Sequence, residues 1–336
     1  MVTMLDAARL VEDGQRHFGR FARTPLANPC DAARGPARAY EWFRTKEWVG
    51  FTLLHPELAC SMIIQDAKYL ATSEIYTFDR ASRTFTQRSA NRLGGSVRLP
   101  ADLLHSACAF ESSGYRLGYA FDADKVIVAV DIAPSDKGPA IRGRLSLDAR
   151  RASPPLVVSA RLPGGRMYTN KLLYPASGVL TRGDRRYVFD PRRDVAILDE
   201  HKSHLPYRTR WTWGTFAMPV ASGGYAGANF AARPSEPGQP EESCIWTPEA
   251  AEPLADIEFT KTSGDRMAPW RIRSADGRLD VVFTPDGHKD EDQFLLVAEI
   301  HYTQWFGHYS GTLRGADRTW TVSGVPGVCE HMDARL

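Results

Sequence analysis

Apolar and polar residues alternate with a period of two along most of the chain. At residues 115–121, ring and aliphatic side chains alternate with Arg116, Gly118 and Ala120, and a second alternating run, 126–130, follows the turn at 122–124. Successive side chains of a strand point to opposite faces, so the two runs predict an antiparallel hairpin. Similar runs predict strands at residues 47–54, 58–65, 72–78, 141–147, 167–174, 185–189, 257–262, 278–283, 294–310 and 318–322.

Helical spacing of apolar residues is scarce and predicts helices only at residues 1–21 and 36–45. Many short strands with few crossover helices favour sandwiches or barrels over a parallel sheet. A chain of 336 residues exceeds the usual single core, so we predict two units that divide near Ala160. The Pro-, Gly- and Glu-rich segment 234–242 is predicted to be a surface loop within the second unit.

Charge and composition narrow the function classes. The chain has 42 Lys and Arg against 40 Asp and Glu, and the two signs are interleaved without basic blocks. Nucleic acid is therefore a disfavoured partner, because binding phosphates needs a basic stripe. The start of the chain lacks an apolar secretory region, and the run Val126–Val130 is too short to cross a bilayer. We expect a cytoplasmic protein without a membrane span, and a homodimer is left open.

The five cysteines are scattered without a Cys-x-x-Cys pair, which predicts buried thiols rather than disulfides or a zinc ribbon. No Gly-x-Gly-x-x-Gly motif, phosphate-binding loop or Gly-x-Ser-x-Gly elbow occurs, so nucleotide-dependent and serine-hydrolase chemistry is disfavoured.

The window from Asp199 to Trp213 is the richest in catalytic side chains. Trp211 and Trp213 would share one face of a strand, whereas residues 199–204 are predicted to form a loop that stops at Pro206. This arrangement favours an aromatic-walled pocket with acid–base groups at its mouth.

From about Trp42 onward, the order and spacing of short segments resemble an uncharacterised bacterial family, "domain of unknown function 2804". The segments that carry the resemblance are Lys46–Phe51, Tyr168–Lys171, Leu198-Asp199, Trp211-x-Trp213, Gly227-x-Asn229, Glu242 with Trp246, Pro269-Trp270, Phe283-x-Pro285, Gln304–Gly307 and Gly327–Glu330. The chain departs from the family pattern after Glu330, where His331 and Met332 follow and the end is not aromatic.

The resemblance implies an architecture similar to the paired lipocalin-like barrels of carotenoid hydratases, tocopherol cyclases and certain Diels-Alderases. The expected fold is mostly β, with two lipocalin-like antiparallel barrels or half-barrels, 1–160 and 161–336, packed together with a few short helices. A hydrophobic pocket would lie between or inside them. Such relatives add water, close rings or rearrange apolar molecules, usually without a redox cofactor, so no cofactor is expected here.

The candidate catalytic residues are carboxyls, an imidazole and an amine. A carboxyl acts as an acid when burial raises its pKa, or as a base when a partner orients it. Asp199, Glu242 and Glu330 match the family pattern, His204 is a candidate proton shuttle, and Lys171 is a candidate base or carbonyl-reactive amine. A structural ion pair or a solvated loop is the alternative for each. A metal held by His201 and His204 is disfavoured because no third ligand can be named.

Candidate substrate-binding residues offer ring faces and directional polar groups. Arg208 is suited to a carboxylate or phenolate, and the polar strand face 302–308 to a pocket lining, although simple packing remains the alternative. The set is Trp211, Trp213, Arg208, Asn229, Tyr168, Trp246, Tyr302, Gln304 and His308.

These observations predict a cofactor-independent acid–base enzyme of the lyase type. Elimination, hydration, cyclisation or isomerisation would act on a hydrophobic or aromatic small molecule in the β-barrel pocket. The alternative is a non-catalytic carrier of a lipid or pigment, which needs the same cavity but no buried titratable group. An acid and a histidine that converge inside the cavity would distinguish the two; carbohydrate processing by two carboxylates ranks last.

Overall fold

A computed structural model of the chain describes residues 4–221, 223–295 and 298–335. In these ranges, 25 mostly antiparallel strands accompany one α-helix, α1 (Gly35–Arg44), and two 3-10 helices (Pro29–Ala32 and Ala149–Arg151). The first sixteen strands are β1 Met4–Leu5, β2 Val11–Glu12, β3 Gln15–Arg16, β4 Gly19–Phe21, β5 Thr45–Leu54, β6 Leu58–Asp66, β7 Leu70–Asp79, β8 Thr84–Leu93, β9 Ser106–Ser112, β10 Tyr115–Phe121, β11 Lys125–Ile132, β12 Ile141–Asp148, β13 Leu156–Leu162, β14 Gly165–Arg182, β15 Arg185–Phe189 and β16 Val195–His204. The remaining nine are β17 Arg208–Pro219, β18 Tyr225–Ala232, β19 Cys244–Trp246, β20 Ala251–Pro253, β21 Ile257–Lys261, β22 Trp270–Ser274, β23 Leu279–Leu295, β24 Ala298–Arg314 and β25 Thr319–Arg335.

The first sheet forms a nearly closed barrel. Its ten main strands follow the order β8-β7-β6-β5-β16-β14-β12-β11-β10-β9, and shorter strands pair along its margin. Alternate residues of these strands fill the interior, where Phe51, Phe110, Tyr119 and Leu198 are buried together. The opposite faces of β5, β6, β7 and β16 are therefore free to face a second layer.

The second sheet is a half-barrel of nine strands in the order β20-β19-β18-β17-β25-β24-β23-β22-β21. Phe216, Phe230 and Tyr309 pack inside it. The chain changes from one sheet to the other at residues 205–207, whereas the predicted boundary near Ala160 falls inside β13 of the first sheet. Local alternation cannot show which sheet a strand joins, and we propose 205–207 as the boundary between the units.

Ring packing joins the two sheets. On β24, Trp305 lies inside the half-barrel, while Phe306 points toward the first sheet and packs against Phe78 and Tyr76, with ring centroids 4.7 and 5.5 Å apart. Since adjacent residues of one strand serve two cores, the half-barrel buries apolar side chains on both of its faces.

Most sequence-based element predictions are confirmed. The hairpin is β10–β11, and the helix predicted at 36–45 is α1. The five cysteines carry free thiols, four of them buried, and residues 234–242 form a loop of the second unit. No helix in the described part of the chain is long and apolar enough to cross a membrane. The cytoplasmic location stays a prediction.

Three local predictions are wrong. Residues 4–21 of the predicted first helix contain β1–β4 instead, because β4 is recruited by pairing with β13; residues 1–3 lie outside the described ranges. Residues 199–204 are not a loop but the end of β16, which pairs with β5 through His204. The predicted strand 294–310 is divided, since Phe294 belongs to β23 and β24 begins at Ala298.

Truncation of Phe306 should show how much packing between the two sheets contributes to stability. We expect Phe306→Ala to lower the free energy of unfolding by about 3–5 kcal/mol, because it leaves a cavity between buried rings. Phe294→Ala is the matched control, since that ring is 73% exposed, and should change stability by less than about 0.5 kcal/mol. Equal losses in urea-induced unfolding of the two variants would contradict this packing role.

Candidate active site

Two adjoining cavities lie between the sheets and together form what we call the chamber. The first cavity has an empty volume of about 720 Å³ and the second about 1000 Å³, both including their open mouths. The same five residues, three indoles and two carboxyls, line both cavities: Trp48, Asp199, Trp211, Trp213 and Glu330. The chamber therefore brings together the predicted indoles Trp211 and Trp213 and the predicted carboxyls Asp199 and Glu330.

The register of the paired strands explains why these side chains lie together in the chamber. In the half-barrel, Trp213 of β17 lies opposite Glu330 of β25, which lies opposite Gln304 of β24. In the barrel, Lys171 of β14 lies opposite Asp199 of β16. Opposed residues of neighbouring strands project from the same face, so each sheet presents a row of functional side chains to the other.

The buried ammonium of Lys171 is the centre of the first cavity. Its side chain is 2% exposed, and Nζ lies 2.5 Å from Asp199 Oδ1 and 3.6 Å from Glu242 Oε2. Nζ also lies 4.8 Å from the ring centroid of Trp213. Burial opposes the charge, but Asp199 and Glu242 outweigh it and raise the pKa of Lys171 above its ordinary value. The predicted roles of Lys171 as a base or carbonyl-reactive amine need the neutral amine, which this raised pKa disfavours.

Glu242 is a fixed anion. Although its burial favours the neutral form, the charges of Lys171, Arg233 and His201 lower its pKa to about 2. Arg233 Nη1 donates to Glu242 Oε1 at 2.5 Å, and its Nη2 lies 3.0 Å from Glu241 Oε2. Glu242 reaches this position from the loop before β19, so Lys171 joins a carboxylate of each unit.

Asp199 is the more accessible of the two carboxylates, with a side chain 30% exposed. Trp48 Nε1 donates to its Oδ2 at 3.3 Å, while Lys171 holds its Oδ1. Two donors thus orient a carboxylate that still borders both cavities, which is the geometry required of a general base.

His201, rather than His204, accompanies these carboxylates. Its ring stacks on Trp48 with centroids 4.3 Å apart, and Nε2 lies 3.4 Å from Asp199 Oδ1 and 3.8 Å from Glu242 Oε2. Burial lowers the pKa of His201 to about 4, so the imidazole is neutral near pH 7. Because residues 199–204 form a strand, Asp199 and His201 share a face that His204 does not.

His204 instead lies beside α1, where Arg44 Nε is 3.3 Å from its Nε2 and Glu41 Oε2 is 3.5 Å from its Nδ1. It does not line the chamber. The predicted loop leaves the direction of this side chain undetermined, whereas β16 places it on the face opposite His201.

Glu330 faces Asp199 from the half-barrel and accepts three hydrogen bonds. Trp211 Nε1 donates to Oε1 at 2.8 Å, and Tyr302 Oη and Gln304 Nε2 donate to Oε2 at 2.7 and 2.9 Å. Burial raises the pKa of Glu330, the three donors lower it in part, and the charge of Asp199 raises it further. The net pKa lies above the ordinary glutamate value, as a proton donor requires.

The other predicted binding residues fall into two groups. Arg208 borders the first cavity, and Tyr302 and Gln304 border the second. Asn229 is buried behind the wall, where it accepts from Trp213 Nε1 at 2.9 Å and donates to the Glu242 carbonyl at 2.6 Å.

Tyr168, Trp246 and His308 do not border the chamber. Tyr168 and Trp246 are core residues, and His308 Nδ1 lies 3.2 Å from Asp286 Oδ2. Sequence reasoning missed Trp48 and Arg233 as site residues, and it named His201 only as a disfavoured metal ligand beside His204. Alternation from Asp199 would have indicated His201.

The residues that the structure describes contain no group of three or more His, Cys, Asp or Glu placed to hold a metal ion.

A protein-family model matches almost the whole chain and so identifies its family. The chain belongs to the family described as Domain of unknown function (DUF2804), whose model matches residues 8–336. No curated protein sequence matches the chain. This membership confirms the resemblance predicted from the sequence.

The chain is similar to solved structures at low sequence identity, and two structures of CghA share its fold. CghA with Sch210972 is 13% identical with a TM-score of 0.55, and 87% of this chain and 88% of that chain are covered. CghA alone is 12% identical with a TM-score of 0.53 over the same shares. Kievitone hydratase from Nectria haematococca is 10% identical, with 86% and 88% covered and a TM-score of 0.45. The likeness to CghA confirms the predicted architecture of two packed lipocalin-like units.

Removal of the Lys171 charge should show how much this charge contributes to the stability of the fold. We expect Lys171→Met to lower the free energy of unfolding by about 3–5 kcal/mol, because buried carboxylates lose their counter-charge. Adding Glu242→Gln should restore part of this loss. The control Lys125→Met, on the exposed surface of β11, should cost less than about 0.5 kcal/mol. Additive losses in the double variant would show that the two side chains are not coupled.

Proposed function

We propose that the protein is a cofactor-independent acid–base enzyme of the lyase type that acts on a hydrophobic or aromatic small molecule in the chamber. One observation carries the proposal. Asp199 and Glu330 line the same chamber from opposite sheets, Asp199 held by the ammonium of Lys171 and the indole of Trp48, and Glu330 with a pKa that burial raises. Two carboxyls in such different surroundings provide a candidate base and a candidate acid in one site.

Asp199 is the proposed base, held by Lys171 and the indole of Trp48. Glu330 is the proposed acid, aimed by Trp211, Tyr302 and Gln304. In an elimination, Asp199 would take the proton from carbon while Glu330 protonates the departing oxygen, which leaves as water. Hydration is the reverse, and isomerisation moves a proton between two carbons through the same pair.

The indoles supply the environment for such chemistry. Trp48, Trp211 and Trp213 border both cavities, where their rings would exclude water and contact a developing positive charge. Each cation–π contact contributes about 0.5–2 kcal/mol. Neutral His201 beside Asp199 adds a nitrogen that can accept a proton from the substrate or relay it to the carboxylate.

A non-catalytic carrier is the alternative. It would need only an apolar cavity, whereas here an acid, a carboxylate and an imidazole converge in the cavity wall, at an energetic cost that binding alone does not explain. CghA with Sch210972, which shares the fold, supports a role for this architecture in small-molecule binding. The convergence of Asp199 with His201 favours the enzyme.

Substitution of the proposed acid and base should separate catalysis from binding. A compound identified by native mass spectrometry of the purified protein, or from a panel of aromatic and polyene compounds, would serve as substrate. Asp199→Asn and Glu330→Gln should each lower turnover about 10²–10⁴-fold with binding retained, because proton transfer is lost, and thermal unfolding checks that Asp199→Asn keeps its fold without the Lys171 ion pair. The control Asp131→Asn, on the barrel surface, should keep full activity. Wild-type rates in both chamber variants would refute the assignment.

The pH profile should identify Glu330 as the acid. Its protonated form is the active one, so kcat/KM should fall as the pH rises through its raised pKa. His201 and Glu242, with pKa values of about 4 and about 2, change their protonation states below pH 5, outside the measured pH range. The measurement is kcat/KM from pH 5 to 9 for the wild type and for Glu330→Gln. An unchanged alkaline limb in the residual activity of the variant would assign that limb to another group.

A further inference from the structure

The wall of the second cavity includes a buried tyrosine whose hydroxyl the proposed chemistry does not use. Tyr76 lies on the face of β7 that points away from the barrel interior, and its residue is 2% exposed. Its ring packs against Phe306 and Phe85, with centroids 5.5 and 5.9 Å away. Within the described residues its Oη has no hydrogen-bond partner. A buried hydroxyl without a partner is unfavourable, and the residue that carries it lines a cavity large enough for a ligand.

A charged pair beside Tyr76 bridges the two sheets. Lys289 of β23 pairs with Glu74 of β7, and both side chains are mostly buried. Gln87 Nε2 donates to Glu74 at 3.1 Å, and Lys289 Nζ also lies 3.4 Å from Glu291 and 5.2 Å from the ring centroid of Tyr302. Both members of the pair line the second cavity. This wall therefore offers hydrogen-bond donors and acceptors at a distance from Asp199 and Glu330.

The register of the strands gives the approximate distance between the Glu74–Lys289 pair and the carboxyls Asp199 and Glu330. On the barrel, Asp199 lies opposite Gly50, Gly50 opposite Ile63, and Ile63 opposite Glu74. Three strand spacings amount to about 14 Å along the sheet. On the half-barrel, Glu330 lies opposite Gln304 and Gln304 opposite Lys289, which is two spacings or about 10 Å.

We propose that Tyr76, with the Glu74–Lys289 pair beside it, binds a hydroxyl or carbonyl oxygen of an elongated substrate. That oxygen lies on the order of 10 Å from the group that reacts between Asp199 and Glu330. The substrate class is an apolar, ring- or polyene-containing molecule with an oxygen function remote from its reacting group. The assignment of the reacting end rests on the proposed function, whereas the oxygen site rests on the cavity and its unpaired hydroxyl.

Such a site discriminates between substrates. A pocket that buries a polar group for one ligand oxygen binds the analogue without that oxygen poorly, because its own group then stays unpaired. Tyr76 can donate to either a hydroxyl or a carbonyl oxygen, and the neighbouring carboxylate can accept from a hydroxyl. The indoles and Phe306 contact the apolar middle of the molecule.

Tyr76→Phe tests the proposal with the smallest change available. Tyr119→Phe is the matched control, because the Tyr119 hydroxyl is equally buried and without a partner among the described residues but lies in the core of the barrel. The probes are trans-stilbene and 4,4′-dihydroxystilbene, with affinities measured from the quenching of tryptophan fluorescence. Thermal unfolding of each variant verifies that the fold is kept.

The wild type and Tyr119→Phe should bind the dihydroxy probe about fivefold to tenfold more tightly than stilbene. Tyr76→Phe should lose that preference while it keeps its affinity for stilbene. Three results would overturn the proposal: a wild type that binds the two probes equally or binds neither, a Tyr76→Phe variant that keeps the preference, or a Tyr119→Phe variant that loses it.

The same probes separate this proposal from the proposed function. Asp199→Asn should keep the preference for the dihydroxy probe even though turnover is lost. If Asp199→Asn and Glu330→Gln stay fully active, the acid–base assignment fails while the oxygen site stands on its binding data.

Discussion

The buried ammonium of Lys171 is the constraint on which the rest of the site depends. A charge removed from water must be compensated, and Lys171 is compensated by Asp199 of its own sheet and Glu242 of the other unit. This arrangement fixes the relative position of the two sheets where the indole of Trp213 covers the amine. It also lowers the pKa of Glu242 and so keeps this carboxylate ionised in a cavity that three indoles help to line.

Three carboxyls at this interface behave differently because their surroundings differ. Glu242 is held as an anion by cations, and Asp199 is held by an ammonium and an indole while it stays partly accessible. Glu330 has only neutral donors, so burial prevails and raises its pKa. The proposed acid and the proposed base are thus two carboxyls that differ because Lys171 lies on one side of the chamber.

The local pattern of apolar and polar residues predicted the features that depend only on residues close in sequence. Alternation gave most strands and the shared face of Trp211 and Trp213, and the family resemblance pointed to the carboxyls that line the chamber. Placements that depend on long-range pairing could not be derived in this way. Glu242 enters from a loop, Tyr76 arrives through the pairing of β7 with β6, and the sheets change at 205–207, where the sequence shows no composition shift. The strand β16, which replaces the predicted loop, puts His201 rather than His204 at the chamber.

The protonation state of Glu330 tests the account most directly. Infrared difference titration of the wild type against Glu330→Gln isolates the C=O band of this one carboxylic acid from the other carboxyls. We predict that the band persists above the pH at which an ordinary glutamate ionises, about 4.3. Complete ionisation at or below that pH would contradict the assignment of Glu330 as a proton donor, and with it the division of acid and base across the two sheets.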